Sequence, residues 1–153
     1  MIRIISKLDI KNGYLIKGIN LEGLRVLGEP YDFAQMYYKD GIDEVFYVDN
    51  VATLYGTNNL SKFIRKTAKN LFVPLAIGGG IKSIKDAYQA FQDGADKIVI
   101  NSAAIINPKF ISNLAKIFGS ANICVSIETI KYDNKYFISR SNGRDLEKVN
   151  PFE

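Results

Sequence analysis

The chain has 153 residues, of which 47% are hydrophobic and 24% charged, with a net charge of +4. That composition suits one globular domain, residues 1–153, with a sizeable core, and excludes a disordered chain; no apolar run approaches the roughly 18–20 residues of a membrane span. With no histidine and a single cysteine, Cys124, Ser-His-Asp and Cys-His catalysis, a disulfide framework and a cysteine-rich zinc site are all excluded. Acid–base chemistry must fall to Asp, Glu, Lys or Tyr. No metal or organic cofactor is expected. The basic and acidic residues are well mixed, so neither nucleic acid nor membrane is an expected partner. The N-terminal stretch is broken by Arg3, Lys7 and Asp9 and does not read as a signal peptide, which points to a soluble cytoplasmic protein.

In chain order, Ile2–Asp9, Glu44–Asp49, Val73–Gly78, Lys97–Asn101 and Ile123–Glu128 read as strands. Their near-continuous apolar character predicts parallel strands covered on both faces. Helices fall between them. One starts at Pro30 and stops at Gly41; a second, within 58–71, carries Leu60, Phe63, Ile64 and Leu71 on one stripe. A third is capped by Ser83 with Asp86 three residues on, and a fourth has Asn107 as cap, Pro108 in its first turn and Gly119 beyond its end. Strand–helix alternation implies βαβ units and a parallel sheet. Asn12-Gly13 and Asp133-Asn134, each between alternating residues, predict two hairpins inserted after the first and fifth strands.

The chain repeats itself. Asp40-Gly41-Ile42-Asp43-Glu44-Val45-Phe46 matches Asp93-Gly94-Ala95-Asp96-Lys97-Ile98-Val99 in register, each copy reading as a helix end, a glycine cap and a strand start. Two such blocks of about 50 residues predict an α/β fold built as a parallel (β/α) half-barrel: the first five strands and four helices of a TIM-type (β/α)8 barrel, which takes about 250 residues when whole. Asn150-Pro151-Phe152-Glu153 has the pattern of a further helix start. The reading is of a barrel cut just after its fifth strand.

Strand ends carry the candidate chemistry. Asp9, Asp49 and Glu128 stand at C-terminal ends, which converge on the active site in a parallel barrel, and crowding there raises the pKa of at least one acid. Gly78-Gly79-Gly80 and Asn101-Ser102-Ala103-Ala104 follow adjacent strands. Together they predict one phosphate site, made by backbone amides at the helix that starts near Ser83. Lys17, in the first hairpin, could reach an anionic substrate. Arg3, Glu44 and Lys97 open strands and predict a charged ring at the opposite mouth. Cys124, in an apolar strand, reads as an inert core thiol.

The segments LDIKNGYLIKGINLEGLR, YKDGIDEVFYVD, VPLAIGGGIKS and GADKIVINSAAIINP, in this order, resemble the cyclase subunit of imidazole glycerol phosphate synthase, from Ile4 to about Glu128 and more loosely beyond. The resemblance implies a (β/α)8 barrel of histidine biosynthesis. With ammonia from a glutaminase partner, it cyclises a phosphoribulosyl-formimino-carboxamide ribonucleotide to imidazole glycerol phosphate and an aminoimidazole carboxamide ribotide. It implies Asp9 as a catalytic acid/base and Lys17 as a mobile-loop lysine. Gly80, Asn101 and Ser102 would be ligands of a substrate phosphate, and Arg3, Glu44 and Lys97 members of a gate that admits ammonia. The second catalytic aspartate of the family falls on Glu128. Two alternatives stay open: a paralogue that passes ammonia to another acceptor such as a surface sugar, and a non-catalytic phosphate-binding half-barrel. Unpaired sheet edges and an apolar inner face predict self-association.

Overall fold

The computed structural model describes residues 2–19, 22–50, 61–140, 145–147 and 151. The expected stripe residue Leu60 and nearly all of the expected helix at 150–153 lie outside them. The first strand, β1 (Ile5–Lys11), starts three residues later than the sequence suggests and runs on into the hairpin. Asn12 and Gly13 both take positive φ, +50° and +84°, as a two-residue hairpin requires. The chain then returns as β2 (Tyr14–Ile19) and β3 (Glu22–Gly28), both antiparallel.

From there strands and helices alternate: α1 (Pro30–Lys39), β4 (Glu44–Asp49), α2 (Ser61–Asn70), β5 (Leu75–Gly78), α3 (Ile84–Gln92) and β6 (Lys97–Ile100). A short α4 (Ser102–Ile106), which the sequence reading missed, precedes α5 (Lys109–Phe118), a 3-10 turn (Ser120–Asn122) and β7 (Ile123–Val125). The cap before α5 is Pro108 rather than Asn107. The sheet runs β3-β2-β1-β4-β5-β6-β7, and β1, β4, β5, β6 and β7 are successive parallel neighbours. The architecture is therefore α/β with a mostly parallel seven-stranded sheet, two of its strands coming from the hairpin insertion.

The fifth expected strand is corrected. It ends at Val125, where the Ser126 N–H bonds the Ile100 carbonyl, 2.9 Å. Glu128 instead opens β8 (Glu128–Tyr132), which turns at Asp133 and Asn134 (φ +47° and +59°) into β9 (Lys135–Arg140) and pairs on to β10 (Asp145–Glu147) in a separate sheet. Three residues are all that β7 needs to complete its bonds to β6, so the apolar run outlasts the strand.

One face of the parallel strands makes the core. Leu8 and Ile10, Val45 and Tyr47, Leu75 and Ile77, and Ile98 and Ile100 are buried against Ala34, Ile64, Ala87, Ala90 and Leu114 of the helices. Alternation sends the intervening residues to the other face. Register lines up Lys7, Phe46, Ala76 and Lys97 in one row there, and Asp9, Val48, Gly78, Val99 and Cys124 in the next. Cys124 is exposed on that face, not a core thiol.

The internal repeat is visible as geometry. The Asp43 carboxylate accepts from the Ile4 N–H (2.7 Å) while the Asp43 N–H donates to the Ile4 carbonyl (2.9 Å). Asp96 and Leu75 make the same reciprocal pair, both at 2.9 Å. Gly41 and Gly94 close their helices at φ +89° and +109°, a conformation glycine adopts without strain. Each aspartate thus ties the start of one strand to the start of the strand beside it, and the positive-φ glycine before it turns the chain there.

Candidate active site

At the C-terminal ends of the parallel strands lies a cleft of about 420 Å3. It gathers Asp49 from the end of β4, Gly80 from the loop after β5, Asn101 and Ser102 after β6, and Glu128 from the start of β8. Five of the seven expected catalytic and binding residues therefore meet in one place. Asp49 is buried. The buried Asn101 Oδ1 and Glu128 Oε2 have no hydrogen-bond partner among the described residues, so each has capacity left for a ligand. Burial pushes the Glu128 carboxyl above the usual carboxylate range; the Lys7 charge pulls it down and the Asp9 charge pushes it up.

Asp9 stands on the cleft side of β1, in the same cross-strand row as Gly78. It does not line the cleft itself but pairs with a residue that does: Lys7 Nζ lies 3.0 Å from Asp9 Oδ1. Sequence reasoning passed over Lys7. The signal was present, since residues two apart on a strand share a face. Lys17 is not brought in. It is exposed on β2, opposite Arg25 of β3.

The glycine loop owes its path to close approach. Gly79 has φ +98°, and a Cβ there would collide with the Asp49 backbone, 2.8 Å from its nitrogen. This fixes the β5 loop against the end of β4. Asp86 Oδ2 already accepts from the backbone N–H groups of Lys82 (3.0 Å) and Ser83 (2.8 Å), and Ser83 Oγ accepts from the Asp86 N–H (3.2 Å). A capping box thus satisfies the Lys82, Ser83 and Asp86 N–H groups at that helix end. The loop itself and the Asn101-Ser102 turn are the parts that face the cleft.

At the opposite ends of the strands, Glu44 is buried. Its Oε2 accepts from Lys97 Nζ at 2.7 Å and from Arg3 Nη1 at 3.3 Å. The three expected ring residues thus form one cluster, with Glu44 shared between two cations. Among the described residues, no group of His, Cys, Asp and Glu could hold a metal ion, and no helix is long and apolar enough to cross a membrane.

The family model for histidine biosynthesis proteins matches residues 3–153. The chain belongs to that family. The HisF subunit of imidazole glycerol phosphate synthase from Legionella pneumophila is 49% identical over 145 residues, 94% of this chain and 68% of the relative. The HisF subunit from Petrotoga mobilis is 39% identical over 152 residues, 96% of this chain and 60% of the relative. That from Bacillus cereus strain G9842 is 43% identical over 143 residues and is covered to 57%. The chain thus spans roughly three fifths to two thirds of the length of these relatives. All three relatives are named as imidazole glycerol phosphate synthase subunits, and none is named for a sugar acceptor.

Proposed function

We propose that this chain carries the N-terminal strand–helix units of an imidazole glycerol phosphate synthase cyclase, with its five parallel strands as the first five of a (β/α)8 barrel. The observation that carries the reading is the single cleft shared by Asp49, Gly80, Asn101, Ser102 and Glu128 in a chain of this family. Gly80, Asn101 and Ser102 hold a substrate phosphate through amides and small polar side chains. Asp9 and Glu128 are the acid/base pair. Burial favours the protonated form of Glu128, which suits it to donate a proton as the ring closes. Lys17, on the hairpin, closes over the anionic substrate. The Arg3–Glu44–Lys97 cluster gates ammonia from a glutaminase partner at the opposite mouth. Self-association through the open face of the sheet belongs to the same proposal.

The test is ammonium-dependent cyclisation of the phosphoribulosyl-formimino-carboxamide ribonucleotide, with the C-terminal part of a HisF relative supplied in trans. Turnover that Asp9→Asn abolishes is expected, with none from the 153 residues alone. No turnover in the mixture, or turnover indifferent to Asp9→Asn, would overturn the assignment.

A further inference from the structure

Two acids aimed at one ligand repel each other, and a site that uses both needs something to hold them together. The inner row of β1 supplies a cation for this. Lys7 and Asp9 are two residues apart on one strand and so share its cleft-side face, where the Lys7 ammonium lies 3.0 Å from Asp9 Oδ1. Lys7 also lines the cleft together with Glu128. Its side chain remains about half exposed, and that of Asp9 about one third exposed. The pair is therefore partly solvent-exposed, with Lys7 on the wall of the cavity and the facing Asp9 Oδ1 itself buried. One Glu128 oxygen in the same cleft is buried and has no hydrogen-bond partner among the described residues.

We propose that Lys7 is a positioning residue of the cleft, whose ammonium orients the Asp9 carboxylate and offsets its repulsion with Glu128 so that both acids can face the same ligand. This rests on the proposed acid/base pair but assigns a residue outside it. Lys7 acts through Asp9 and Glu128 and need not touch the reacting atoms. The other charged groups that bear on the cleft are Asp49 on β4 and Lys82 in the loop after β5. The charge of Lys7 acts on Glu128 in the stabilising direction and that of Asp9 in the opposite one, as the placement requires.

The experiment is a carboxyl-carbon NMR titration of the ligand-free full chain, with the Glu128 signal assigned through Glu128→Gln. Lys7→Met is expected to move the Glu128 midpoint upward by about half a unit, while Lys7→Arg, which keeps the charge, stays near wild type. High salt should shrink the difference, because the lysine is half exposed. A Glu128 midpoint unchanged in Lys7→Met, or shifted equally in Lys7→Met and Lys7→Arg, would overturn the proposal. Thermal unfolding of both variants checks that the fold is kept. The titration needs no turnover, so a failed cyclisation assay and a failed Lys7 assignment are separate results.

Discussion

At the residue scale, Tyr47 shows how one side chain couples core and strand. It is fully buried on β4, and its hydroxyl shares a 2.8 Å hydrogen bond with Thr67 Oγ1 of α2, itself buried. Burial pushes its pKa to about 12, with the Thr67 hydrogen bond working the other way. Tyr47→Phe keeps the ring in place but leaves the threonine hydroxyl without a partner inside the core. A loss of about 1–2 kcal/mol is expected in denaturant unfolding; Tyr47→Phe with Thr67→Val should recover part of it, because the orphaned hydroxyl is then gone. The same scale shows what a sequence can and cannot tell. Asn12-Gly13 and the Ser83–Asp86 box were legible because local backbone chemistry decides them. Gly80, Asn101 and Ser102 were legible as neighbours because adjacent parallel strands must place their loops side by side. Lys7 was passed over because an interrupting charge in an apolar run reads as surface, although its two-residue spacing from Asp9 already put both on one strand face. Cys124 was misread for a related reason: an apolar run says that a strand is packed, not that both of its faces are.

At the element scale, helices α2 and α3 are tied by one buried acid. Asp93, next to the end of α3, has a side chain 1% exposed, and its Oδ1 accepts from Arg65 Nε of α2 at 2.7 Å and from Gln89 Nε2 at 3.1 Å. Burial alone would push the Asp93 carboxyl up, but hydrogen bonds from Ser61, Arg65 and Gln89 and the Arg65 charge outweigh it, and the carboxyl is held below its ordinary value of 3.8. A group with a depressed folded-state value binds its proton more readily when unfolded. Its stabilising contribution is therefore full above the ordinary value and is lost as pH falls through the folded one. Arg65→Ala is expected to cost about 1–2 kcal/mol at neutral pH, a figure discounted for the exposed arginine. In acid titrations followed by circular dichroism, the variant should lose less of its remaining stability below pH 4 than wild type does. Equal acid sensitivity in the two proteins would show that the tie is not the pH-responsive element. Element boundaries were the least legible feature. α4 has only five residues, too few for a periodic pattern, and β7 stops where its bonds to β6 are complete, which moves Glu128 from a strand end to the start of a hairpin.

At the scale of the whole molecule, the repeat decides the architecture. Equivalent aspartates, glycines and strand starts recur at one spacing and make equivalent hydrogen bonds, so successive parallel strands join in the same way. What repetition does not settle is how the open side of the sheet is satisfied. Helices cover one face with the main core, whereas on the other Cys124 and Lys7 meet solvent; at the sheet edge Val125, in register with Ile100 of the core side, is 38% exposed. Among the described residues, β7 pairs only with β6, which leaves its outer edge with unpaired backbone groups. An uncovered edge beside partly apolar surface favours pairing with a second copy. Multi-angle light scattering should accordingly report a mass of at least twice 17.1 kDa. Val125→Lys, which puts a charge on the edge strand without touching the cleft, should shift the distribution towards the monomer. A monodisperse 17.1 kDa species for the wild type would mean that the edge is protected within the chain, and the self-association part of the proposal would fall while the cleft and its residues stand.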